Sequence, residues 1–256
     1  MRKGKGFTLI ELLVVIAIIA LLMAILMPAL NRVKKQAKVV ACQARLKQWA
    51  LIFAMYTNDN NGYFHDRPFG TNYEKMWPQF YQRYYSDPKL RCCPAAQNPD
   101  RHTGTFGTWG WKGPTDQDWG WGGTWVPEEG FFGSYGMSRY ILNKKGTEYW
   151  QKTGVRGAEN VPVFLDCLYV ALNPSSADSP PRYDGERSNQ MQFSCINRHV
   201  GKVNGLFLDW SVRKIDLKEL WVLKWSRTFD IAGPWTQAGG AQSQDWPEWM
   251  RSFKDY

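Results

Sequence analysis

His199 is the residue in this chain best equipped for acid–base chemistry. Asp166 and Asp209 each end an apolar, strand-like stretch, and Ser194 and Cys195 lie a few positions before the histidine. A nucleophile, an imidazole and a carboxylate make a hydrolase set, provided the fold brings them within hydrogen-bond reach of one another. Against that reading, the chain has no G-x-S-x-G, no H-E-x-x-H and no P-loop. A histidine following an arginine at a strand start fits a hydrogen-bonded core residue better, and no catalysis is expected. Either aspartate could cap a turn or join a calcium site, but no EF-hand-like loop is present.

The five cysteines are Cys42, Cys92, Cys93, Cys167 and Cys195. An odd number excludes complete pairing within one chain. There is no CxxC, and no His or Cys falls at zinc-ligand spacing, so no metal is expected. In an exported domain one or two disulfides would form. Neighbouring cysteines rarely bond to each other, so Cys92 or Cys93 would reach Cys167 or Cys195. Cys42 reads as a small buried residue.

A second chemistry is carried by the tryptophans, 14 in 256 residues. Trp109, Trp111, Trp119, Trp121 and Trp125 crowd a Gly-, Thr- and Asp-rich stretch, "GTFGTWGWKGPTDQDWGWGGTW", which recurrent glycine keeps from being a helix. The favoured reading is that they bury one another in a loop-rich core. The alternative is a ligand loop stacking on sugars, which would make the chain a membrane-anchored carbohydrate- or ligand-binding module.

The elements that position these groups start at a long apolar run. From Phe7 to Leu30 the only charge is Glu11. As a helix the run measures roughly 36 Å, against a bilayer core of about 30 Å. The tip "MRKGKG" carries Arg2, Lys3 and Lys5, which by the positive-inside rule leaves the body outside the cytoplasm. A secretory signal would be shorter and would end in a small-x-small site, and Pro28-Ala29-Leu30 is a poor one. A plain anchor gives Glu11 no use, and a carboxylate in a span is functional by default.

Beyond Pro28, Val33, Ala37, Val40, Ala44, Gln48, Leu51 and Met55 step by three or four. They predict an amphipathic continuation with that stripe buried, giving one helix from Thr8 to Thr57, kinked at Pro28 and stopped by "NDNNG". Further on, Val203 to Asp209 and Ser211 to Ile215 predict two strands joined by a tight turn at Asp209-Trp210, with a short helix over 217–223. Mean hydropathy is −0.46 despite the apolar start, so the body is polar and unlike a multi-span membrane protein. The net charge is +9, and +6 without the basic tip (29 minus 23), which suits a solvated surface; nucleic acid is not an expected partner.

"GFTLIELLVVIAIIALLMAILMPAL" resembles the prepilin-type cleavage and methylation motif of type IV pilins and type II secretion pseudopilins, of the general secretion protein G kind. The resemblance rests on Gly6, Phe7, Thr8, Leu9, Ile10 and Glu11, with Pro28 at the usual kink. It implies a prepilin peptidase that cuts between Gly6 and Phe7 and N-methylates Phe7. Glu11 would then pair with the new amino terminus of a neighbouring subunit and set the register. The second half is similar to a large pseudopilin-like family through Cys93-Pro94, Ser134-Tyr135-Gly136-Met137, Phe164-Leu165-Asp166, Arg198-His199, Asn204, Phe207, Asp209 and Val212. Trp210 stands where that family has glycine and Ser211 where it has histidine, so the turn is expected to differ.

The resemblance implies an α+β, pilin-like fold, with one long kinked helix on a small antiparallel sheet with long irregular loops. The implied divisions are a leader over 1–6, a membrane and filament-core helix over 7–30, its amphipathic continuation over 31–57 and a periplasmic body over 58–256. The expected role is a non-enzymatic subunit of a periplasmic or surface filament, held in the inner membrane before assembly. Its partners would be the peptidase, other pilin or pseudopilin subunits and an inner-membrane assembly platform. No cofactor is expected, calcium being the ion that some pseudopilins use.

Overall fold

The computed structural model describes residues 8–66, 77–96, 104–111 and 131–256. Helix α1, Leu9–Asp59, runs through Pro28 without interruption. Two compact units divide it, residues up to Lys38 forming the first and Val39–Tyr256 the second. The second unit therefore takes in residues 39–59, about two fifths of the helix. The helix ends where the sequence says it should. Asn61 and Gly62 take left-handed backbone, and Gly62 N–H donates to the Thr57 carbonyl at 2.7 Å.

The buried face of the helix is not the predicted stripe. Val39, Cys42, Leu46, Trp49, Ala50, Ile52, Phe53, Tyr56 and Thr57 face the core, whereas Val33, Val40, Leu51 and Met55 are more than half exposed. Both sets repeat at helical spacing. The winning face is the one carrying Trp49, Phe53 and Tyr56, because large rings bury the most area and reward edge-to-face contact. Trp49 meets Trp77, Tyr85 and Phe164 at ring separations of 4.9–5.1 Å.

A short helix α2, Trp77–Phe80, and two 3-10 turns lead into the Cys-Pro loop. Strands β1, Trp109–Trp111, and β2, Phe131–Gly133, form a two-stranded ribbon. The main sheet holds β3, Tyr135–Ser138; β4, Pro162–Asp166; β5, Ala171–Leu172; β6, Lys202–Phe207; and β7, Val212–Asp216, in the order β5-β3-β4-β6-β7. It is mixed rather than antiparallel, because β5 pairs parallel with β3. The chain leaves β4, crosses the end of β3 and returns on its far side. Gly136 makes that crossing possible, since a Cβ there would lie 2.6 Å from the Tyr169 carbonyl oxygen.

Strand alternation then builds three layers. Tyr135, Met137, Phe164 and Leu206 share a core with α1. Leu165, Val203, Phe207 and Ile215 share the other with residues 217–250. That C-terminal stretch has no regular helix or strand; it is a series of 3-10 turns, the first at Lys218–Val222, where a short helix was predicted. Tryptophan holds it in place. Trp221 packs edge-on against Trp246, and the Trp221 and Trp225 indoles donate to the carbonyls of Asp178 and Leu220.

The β6–β7 turn falls at Asp209-Trp210, as predicted, but its backbone keeps the form that glycine would give it. Trp210 has φ +66°, a left-handed conformation that costs a side-chain-bearing residue about 1–2 kcal/mol. Its N–H donates to Phe207, and Asp209 accepts from the Ser211 N–H and hydroxyl. The indole recovers something by packing near Phe64. Trp210→Gly is therefore expected to be more stable than Trp210→Ala by about 1 kcal/mol, since both lose the indole and only alanine keeps the strain. Denaturant unfolding of the two variants checks this.

Candidate functional site

Two places in the molecule are candidates for functional chemistry. The first is the start of α1. The Glu11 carboxylate accepts from the Thr8 N–H and from the Thr8 hydroxyl, both at 2.8 Å, and the Glu11 N–H donates back to Thr8 Oγ1 at 3.2 Å. This is a capping box, Thr-x-x-Glu, which satisfies donors that the first helical turn otherwise leaves free. Glu11 thus has a local use that the sequence reading did not foresee. A capping box needs Glu or Gln, however, and does not itself explain a charge in an apolar helix. Every residue from Thr8 to Ala37 is exposed, and the helix is long and apolar enough to cross a membrane. Gly6 and Phe7 lie outside the described residues.

The second place is a polar knot inside the body. Asp166 ends β4 on the face turned toward α1, and Arg198 and His199 precede β6. Arg198 Nη1 lies 3.0 Å from Asp166 Oδ1, both side chains fully buried. The same guanidinium donates to the carbonyls of Ser134, Gly107 and Thr105 at 2.8–3.0 Å. Asp166 Oδ2 accepts from Asn204 N–H at 2.8 Å and lies 3.1 Å from His199 Nε2. Cys93 Sγ approaches the same ring nitrogen at 3.3 Å. Cys42, from α1, closes the group at 3.7 Å from Asp166 Oδ2.

The electrostatics follow from burial. Burial pushes the Asp166 carboxyl up, but His199, Arg198 and the Asn204 N–H outweigh it and hold it well below the usual carboxylate range. Burial pulls His199 down, and Asp166 reverses this, raising it to about 9. Burial pushes Cys42 well up, and Cys167 up to about 12. Burial acts on Cys93 in the same sense, but the contacts with Cys42, His199 and Arg198 bring it down to about 7.

The hydrolase set does not assemble. Asp209 is exposed in the hairpin turn, Ser194 donates to the Met191 carbonyl, and Cys195 sits in the second core. Cys93, His199 and Asp166 do meet. A nucleophilic relay, however, puts the carboxylate on one ring nitrogen and the nucleophile on the other, whereas here both face Nε2. The expected disulfides are absent: all five cysteines are free, and the thiol beside Cys93 is that of Cys42. The hydrogen bonds Arg45 to the Cys92 carbonyl and Trp49 to the Leu90 carbonyl hold the Cys-Pro loop on α1, and so bring that pair together. Of the five loop tryptophans, Trp109 is buried and donates to the Tyr135 carbonyl at 2.8 Å. The Trp111 side chain and Trp119, Trp121 and Trp125 lie outside the described residues.

The α+β body on one long N-terminal helix is the pilin-like arrangement that the sequence leads one to expect. Residues 1–27 match the family described as the prokaryotic N-terminal methylation motif. Over 63 residues, 25% of this chain, the sequence is 51% identical to the type IV wide pilus major component of Thermus thermophilus, covering 48% of that protein. Over 62 residues it is 39% identical to type II secretion system core protein G of Pseudomonas aeruginosa, covering 44% of it. The chain spans about half the length of the curated relatives it matches. No solved structure matches it. The chain thus carries the prepilin-type motif and has a type IV pilin and a type II secretion pseudopilin among its homologues.

Proposed function

We propose that this protein is a non-enzymatic structural subunit of a type IV pilus-like or type II secretion-like filament. A prepilin peptidase removes Met1–Gly6 and methylates the amino group of Phe7. The apolar helix holds the chain in the inner membrane, with the body on the periplasmic side, until an assembly platform inserts it into the filament. There the dry bundle of helices pairs each Glu11 with the amino terminus of a neighbour, since an unpaired carboxylate in such a bundle is costly.

One observation carries this reading: the methylation motif leads directly into a membrane-length helical segment, exposed from Thr8 to Ala37, whose first turn holds a carboxylate. Co-expression with a prepilin peptidase tests it. The full-length chain is expected to shorten by its first six residues, and Gly6→Val to stay whole. A wild-type chain left intact by an active peptidase would overturn the reading.

A further inference from the structure

Cys42, Cys93, Asp166 and His199 come from four distant parts of the chain: α1, the Cys-Pro loop, the end of β4 and the approach to β6. All four are buried, and one ligand atom from each lies within 4.8 Å of every other. The separations are 3.1 Å for His199 Nε2 to Asp166 Oδ2, 3.3 Å for Cys93 Sγ to His199 Nε2, and 3.7 Å for Cys42 Sγ to Asp166 Oδ2. A tetrahedral centre with metal–sulfur bonds of about 2.3 Å and metal–nitrogen or metal–oxygen bonds of about 2.0–2.1 Å places its ligand atoms about 3.3–3.8 Å apart. These three separations match such a centre to within a few tenths of an ångström, and the remaining three are no longer than 4.8 Å. We propose that they form a closed, four-ligand structural site for a divalent cation of the zinc class, which clamps α1 to the sheet.

The surroundings supply what ligands of this kind need. Tyr135 Oη donates to Cys42 Sγ at 3.1 Å, and the Ala95 N–H donates to Cys93 Sγ at 3.4 Å. Arg198 and the Asn204 N–H hold the two oxygens of Asp166. Three of the four ligands thus have a partner that fixes their direction, the role outer-shell groups play at metal centres. The charges also close. Two thiolates and a carboxylate carry three negative charges; a divalent cation and Arg198 carry three positive ones; the imidazole is neutral. A buried group with no net charge escapes the penalty of an isolated ion. Two thiolates and an imidazole favour zinc over calcium or magnesium, which prefer all-oxygen sets. Binding involves no change of oxidation state: the ion enters and the two thiol protons, with any second proton on the imidazole, leave to solvent.

The test uses the full chain in detergent, reduced, stripped by chelator and dialysed against zinc. Elemental analysis is expected to find one zinc per chain, and cobalt(II) in its place to give the absorption of a tetrahedral thiolate centre. Cys93→Ser and His199→Gln are expected to lose that absorption, whereas Cys195→Ser, in the second core, keeps it. Tyr135→Phe is expected to weaken zinc binding by about tenfold. Near-ultraviolet tryptophan dichroism checks that each variant is folded. If the ligand variants fail to fold, the wild-type cobalt spectrum decides, and an octahedral or absent spectrum overturns the proposal. Zinc held equally by folded Cys93→Ser would also overturn it. So would a Cys42–Cys93 disulfide in the isolated chain that, once reduced, takes up no metal.

Discussion

Arg198→Ala is expected to destabilise the body by about 3–5 kcal/mol, the cost of leaving one member of a buried ion pair without the other. The residue does two jobs at once. It neutralises Asp166, and its remaining donors tie the carbonyls of Thr105, Gly107 and Ser134 to the end of β4. Alanine leaves a buried carboxylate with less compensation and takes the guanidinium donors from three carbonyls, of which Ser134 still accepts from the Cys167 N–H. Lysine keeps the charge but cannot reproduce a planar fork that reaches four acceptors, so Arg198→Lys should recover only part of the loss. The contrast is Arg182, whose side chain is 81% exposed in its pair with Glu186. Arg182→Ala should shift the midpoint far less, because water screens the exposed guanidinium. Denaturant midpoints of the chelator-treated full chain in detergent separate the two; similar losses for both variants would contradict the keystone role of Arg198.

Glu11→Gln is expected to abolish, or nearly abolish, incorporation into filaments while leaving the helix start intact. The capping box at Thr8 makes this substitution more informative than alanine. Glutamine can still accept from Thr8 at the third helical position, so the local structure survives and only the charge is lost. Glu11→Ala removes both, and its helix start is weakened besides. If the carboxylate serves only to cap, Gln should assemble normally and Ala poorly. If it pairs with a neighbouring amino terminus, both should fail alike. Sheared-filament yields, normalised to processed subunit in the membrane, distinguish these outcomes.

These two residues also mark the limits of what the sequence could reveal. The apolar run, its stop at "NDNNG" and the Val203–Ile215 hairpin were legible, because each is a local pattern with a local cause. The buried face of α1 was misread because two apolar stripes share the helix, and the choice between them is made by aromatic partners more than thirty residues away in the chain, such as Tyr85 and Phe164. The parallel β5 depends on a crossing that Gly136 permits, and no periodicity reports it. The C-terminal stretch, built from 3-10 turns and paired indoles, has no repeat to find.

The polar knot was half visible. His199 and Asp166 stood out as titratable residues beside strands, but Asp209 was the wrong third member and Cys42 and Arg198 were missed. Positions 42, 93, 166 and 198–199 have no sequence spacing that announces a common site, since only the packing of α1 on the sheet joins them. The signal that was available was charge in the wrong place: Asp166 closes an otherwise apolar strand, and a carboxylate buried there requires a cation.

The central claim concerns the amino terminus, and one mass measurement addresses it most directly. In protein isolated from the membranes or filaments of its own cells, the N-terminal peptide is expected to begin at Phe7 and to carry one added methyl group on its amino nitrogen. A chain that still begins at Met1, or one cut beyond the apolar helix, would contradict the account.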